Sequence, residues 1–270
     1  MRKYSAYLSV VSFLLPTISF ADDITAVASE DTIIMTAYYV SAIGFLIATI
    51  LMGRAVAAFG KSALASIFSY LFIGTGIFFV IAIFQKLGGD FFGISSESMD
   101  FWWHIMFYLA LLYYYVGLSY LVGLGDADTT SGKGVQIGME KVWGAVAIAI
   151  LITIFIIPRM VDSYVGLYMN SVLADLGLHH FIAFAIAGTV GYYLVNAKRR
   201  LGQIGRAIAN PMIIAIFALG LQHFWELLNE SWKVVNVTSS VGEGIEKVFL
   251  IIAALCIGYA ALRLRKFTGA

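Results

Sequence analysis

Four histidines and a few carboxylates are the residues of this chain with chemistry to offer. His223 and Glu226 are three apart, and Asp100 and His104 are four apart, so on a helix each pair shares one face. Glu243 and Glu246 repeat the three-residue spacing further on. A neutral imidazole and a carboxylate are good donors to zinc, iron, copper or manganese. The expected ligand set is His104, His180, His223, Glu226 and Glu246, with Asp100 holding the second nitrogen of His104. Glu226 is also the expected catalytic base, acting on a water or dioxygen activated by the metal. His179 and His180 are adjacent on a helix, so only one of them can face a bundle centre.

Helical rise sets these residues at comparable heights. At about 1.5 Å per residue, His104 lies roughly 33 Å above Asp126, His180 roughly 27 Å above Lys198, and His223 roughly 25 Å above Arg206. Glu246 is roughly 25 Å above Arg263 by the same count. The residues therefore form a layer at one end of their helices. Ionisable groups at such depth are costly and are usually paired, solvated or functional. A b-type haem held by two of the histidines ranks below a bare ion, because carboxylates accompany them.

The elements that position these residues follow from composition. Of the 270 residues 61% are hydrophobic and 12% charged, about half the charge of a soluble domain. Lipid is the solvent such a chain requires, and the bilayer is its first partner. A net charge of +1 excludes a nucleic-acid role, and Cys256, the single cysteine, excludes a disulfide framework or a thiolate site.

Arg2 and Lys3, an apolar stretch, Ala21 and the acidic Asp22-Asp23 read as a cleavable signal peptide over residues 1–21. Residues 22–270 then form one transmembrane domain, all-α, a bundle of seven helices. The expected spans are Thr32–Met52, Leu64–Phe84, Phe101–Leu124, Val142–Ile157, His179–Val195, Ile208–Leu228 and Glu243–Leu262. Pro211 falls in the first turn of the sixth, where proline is tolerated. Arg54, Lys61, Lys133, Lys141, Lys198, Arg199, Arg200, Arg206, Arg263, Arg265 and Lys266 gather on one side, which the positive-inside rule makes cytoplasmic. The expected topology is N-out and C-in, in a bacterial inner membrane with a periplasmic N-terminus. The histidine layer is then on the outer face.

Three function classes stay open. The first is a metal-dependent redox or hydrolytic enzyme at the outer face, and it leads. The alternatives are a non-catalytic subunit of a membrane complex or a homo-oligomer, and an ion or proton channel or transporter. The last class expects charged residues near mid-membrane, which the spans do not hold. Gly44, Gly74, Gly76, Gly117, Gly188 and Gly191 could serve helix packing within this bundle or with partners. Lys247 on the last span invites a retinal Schiff base, but its height near the outer surface argues against one. Its expected partner is Glu243, four residues earlier.

Overall fold

The computed structural model describes residues 30–60, 62–92, 96–126, 172–198, 203–235 and 237–267. They form α1 (Glu30–Ala58), α2 (Ala63–Phe92), α3 (Ser96–Asp126), the short α4 (Val172–Asp175), α5 (Leu178–Ala197), α6 (Gln203–Glu226) and α7 (Ser239–Arg265). A π-helical turn, Leu227–Ser231, continues α6. Long apolar runs become helices because only a helix satisfies every backbone group within its own segment in lipid.

Among the described residues six helices, not the expected seven, are long and apolar enough to cross a membrane. They are α1, α2, α3, α5, α6 and α7, each within a few residues of an expected span. The expected fourth span, Val142–Ile157, lies outside the described residues, as does the expected signal peptide. At 16 residues that stretch is also shorter than the about 20 a crossing needs. Pro211 is a second correction. α6 starts at Gln203, so the proline is buried in the helix interior, where it removes one backbone hydrogen bond.

The six long helices close into a ring in the order α1, α2, α3, α5, α6, α7 and back to α1. Contacts fix their directions. Phe45 of α1 stacks on Phe78 of α2, with ring centroids 5.2 Å apart, and Gly53 faces Phe72, so these two helices run antiparallel. Gly44 faces Ala254 and Gly258 faces Ala48, so α1 and α7 run parallel. His104 meets His180, and Tyr115 meets Tyr193, so α3 and α5 are parallel too. The start of α1 and the end of α7 therefore lie at opposite ends of the bundle.

Small residues allow the close approaches. A side chain at Gly74 would meet the Tyr114 ring at 2.7 Å and the Ala110 carbonyl at 3.0 Å. At Gly117 it would meet Tyr70 at 3.0 Å, so α2 and α3 pack backbone to side chain. Buried aromatics fill the ring: Phe78 lies against Phe45, Phe107 and Tyr114. Of the three consecutive tyrosines, Tyr114 is buried and Tyr115 exposed, as their different faces require. The outer surface is apolar in its turn, with Ile43, Ile47, Leu112, Tyr192, Ile214 and Leu255 exposed. This is a multi-pass membrane protein.

Candidate metal centre

Charge divides the bundle between its two ends. Arg54, Lys198, Arg206, Arg263, Arg265 and Lys266 sit at the end where α1, α5 and α7 finish and α6 begins. The opposite end holds a cluster of buried polar groups: His104, His180, Gln222, His223, Glu226, Glu246 and Lys247. Each has been carried there by an apolar helix with few other polar residues, so most of their polar contacts are with one another.

His104, His180, His223 and Glu226 each offer one donor atom, and the four atoms lie within 4.8 Å of one another. All four residues are buried, at 6% exposure or less. His104 Nε2 is 3.1 Å from His180 Nδ1, which is in turn 3.0 Å from Glu226 Oε2. His223 Nδ1 stands 2.5 Å from the same carboxylate oxygen. This is a buried His/Glu cluster capable of coordinating a metal ion.

Each donor is held by its helix. His104 Nδ1 donates to the Asp100 backbone carbonyl at 2.9 Å, which leaves Nε2 with a free lone pair facing the cluster. The sequence pointed to the Asp100 side chain for this role. The carbonyl takes it, and the carboxylate Oδ1 stands off at 3.5 Å. Gln222 Nε2 donates to Glu226 Oε1 at 2.9 Å, which turns Oε2 toward the imidazoles. Gln222 was not among the expected site residues, although its spacing four residues before Glu226 was readable. Phe107 closes the floor, edge-on to the His223 ring with centroids 4.1 Å apart.

The start of α5 is set by Gly177. Its φ of 70° is left-handed, and a Cβ there would meet Leu227 Cδ1 at 2.6 Å and collide with Ser231. The first turn of α5, with His179 and His180, is thus seated on the π-helical turn that follows Glu226. In that turn the Trp232 amide reaches back five residues to the Leu227 carbonyl, at 2.9 Å. Such wide turns inside helices recur at functional sites. Tyr108 adds a tie from α3, its hydroxyl donating to the His179 carbonyl at 2.8 Å.

Several buried atoms of this end have no hydrogen-bond partner: both ring nitrogens of His223, Glu226 Oε2, Gln222 Oε1 and Glu246 Oε1. The short contact between His223 Nδ1 and Glu226 Oε2 thus lacks hydrogen-bond alignment. Buried donors and acceptors left this way cost free energy, about 1–3 kcal/mol each.

Of the five expected ligands, His104, His180, His223 and Glu226 come together. Glu246 is buried on α7 outside that group, with Oε2 3.7 Å from Lys247 Nζ. Lys247 therefore has Glu246 beside it, where the four-residue spacing had pointed to Glu243. Its ammonium also lies over the Tyr38 ring, 4.1 Å from the centroid. His179 turns to the other side of His104, toward Asp100.

No protein-family model, no curated protein and no solved structure matches the chain.

Proposed function

We propose that this protein is a membrane metalloprotein that binds one transition-metal ion, zinc, iron or copper, through His104 Nε2, His180 Nδ1, His223 and Glu226 Oε2. The convergence of these four buried donor atoms within 4.8 Å carries the reading. Metal–nitrogen bonds of about 2.0–2.1 Å place ligand atoms roughly 3.3–4.2 Å from one another, so on binding the widest gaps close by up to about 1.5 Å and the contacts at 2.5, 3.0 and 3.1 Å open by less than that. The ion would satisfy two of the orphaned atoms in one step, one ring nitrogen of His223 and Glu226 Oε2. It also suits the site better than a haem, because four donors meet around one point instead of two facing each other across a plane.

The donor set favours an electron-transfer or structural role over hydrolysis. Gln222 holds one oxygen of Glu226, and the other faces two imidazoles. A carboxylate so committed is a ligand, with no free oxygen to act as a base. Four protein ligands also complete a tetrahedral shell, whereas a hydrolytic ion keeps a position open for water. Glu246 belongs to the Lys247 pair in this account and stays off the metal.

The basic residues at the opposite end support an outer-face location for the site by the positive-inside rule. Protein purified without chelator is expected to carry one tightly held transition-metal ion per chain. His223→Ala should lose that ion and His179→Ala should keep it. Absence of stoichiometric metal from the wild-type protein would overturn the proposal.

A further inference from the structure

His104 presents both ring nitrogens to ligand-rich surroundings. Nε2 faces the buried cluster, and Nδ1 faces Asp100 and His179. Asp100, His104 and His179 again offer three donor atoms within 4.8 Å of one another. Asp100 Oδ1 is 3.5 Å from His104 Nδ1, and Asp100 Oδ2 is 3.9 Å from His179 Nε2. One carboxylate thus reaches toward both imidazoles through different oxygens, without the 2.7–3.2 Å spacing of a hydrogen bond to either. Spacings of this size leave room for an ion between the groups.

Beside them is a cavity of about 160 Å³ between α3 and the start of α5, lined in part by Asp100, His104, Tyr108, His179 and Ile182. It is large enough for a cation and bound waters. The two sets differ in access: side-chain exposure is 40% for Asp100 and 13% for His179, against 8% or less for the residues of the first set. The turn described above places the paired histidines. Adjacent residues on a helix point about 100° apart, so His180 enters the first set while His179 enters the second.

We infer that Asp100, His179 and the Nδ1 atom of His104 form a second, more weakly binding transition-metal site, joined to the first through the His104 ring. The inference rests on the metal reading of the first cluster. On binding, the second cation takes the place of the Nδ1 proton, which leaves to water, and the Asp100 carbonyl loses that hydrogen bond. The ring then bridges two ions about 6 Å apart, a separation set by two metal–nitrogen bonds and the width of an imidazole. Protein ligands fill only three positions of the second ion, so water completes its shell. A paired centre has what the first site alone lacks: an open coordination position beside a closed one.

The test uses the full chain in detergent, stripped with chelator, loaded with Cu²⁺ alone and passed through a desalting column at increasing copper. Wild type is expected to saturate at two ions per chain, the second binding more weakly. Asp100→Asn, at a half-exposed side chain, and His179→Ala should each saturate at one. His223→Ala should lose the tight ion. Electron paramagnetic resonance of the doubly loaded protein should integrate to well under two spins, because the bridge couples them, and to one spin in Asp100→Asn. Saturation of wild type at one ion would overturn the second site and leave the first standing; binding of none would overturn both. Two ions with two independent spins, or two ions still bound in Asp100→Asn and His179→Ala, would also overturn the shared site.

Discussion

His223 Nδ1 and Glu226 Oε2 stand 2.5 Å apart on one face of α6 and are not aligned as a hydrogen bond. Two electron-rich atoms held this close need a positive charge between or beside them, whether a proton or a metal ion. Replacing Glu226 by Gln keeps the shape and removes the charge. Glu226→Gln should lower metal affinity more than the removal of its support, Gln222→Ala, for which a loss of about 10–100-fold is expected of an outer-sphere partner. Competition titration with a coloured chelator measures both. Equal affinities in wild type and Glu226→Gln would remove Glu226 from the ligand set.

Protons compete with a metal for the three imidazoles. Metal binding should therefore hold at neutral and mildly alkaline pH and weaken progressively as the pH falls. The sign follows because each ligand must be deprotonated to bind. Metal retained per chain after dialysis at a series of pH values checks this, and unchanged retention down to pH 4 would contradict it.

Gly177 has a backbone conformation and a contact that a side chain cannot share. Gly177→Ala should cost about 1–3 kcal/mol from the left-handed φ alone, with more from collision against Leu227 and Ser231. It should also lower metal occupancy, because His180 follows three residues later. Gly188 has open space around its Cβ direction, so Gly188→Ala should leave both properties within error. Thermal unfolding in detergent, read beside metal content, separates the two variants.

Lys247 is 2% exposed and has Glu246 and Tyr38 beside it. Removing one member of a buried ion pair strands the other, at about 3–5 kcal/mol. Lys247→Met should therefore destabilise strongly, and Glu246→Gln added to it should recover much of the loss. Glu246→Gln by itself should retain the tight ion. Loss of metal in Glu246→Gln, with the fold intact by circular dichroism, would restore Glu246 to the ligand set.

The height of the site was legible in the sequence and its azimuth was not. Rise per residue is fixed, so His104, His180, His223 and Glu246 could be set in one layer from their distances to charged residues at the other ends of their helices. Which of them meet depends on how each helix is rotated against its neighbours, and that is decided by contacts such as Gly74 on Tyr114 and Gly220 on Ala187. Glu246 was at the right height and is buried on α7 with the Lys247 ammonium 3.7 Å from its carboxylate. Adjacency alone showed that His179 and His180 must separate, but only packing shows that His180 goes with Glu226. The π-helical turn leaves no mark in residue spacing, because its hydrogen bonds differ by one residue from those of an ordinary helix. Six of the expected spans were marked by apolar length, whereas the expected fourth, Val142–Ile157, rested on the shortest stretch.

X-ray absorption at the metal edge of the purified protein, holding only its tight ion, tests the central claim most directly. The account predicts a first shell of about four nitrogen and oxygen atoms at roughly 2.0–2.1 Å, with outer-shell scattering from three imidazoles. His223→Ala protein exposed to the same metal should retain no tight ion and so should not give this spectrum. A shell with fewer than two imidazoles, or a wild-type spectrum unchanged by His223→Ala, would contradict it.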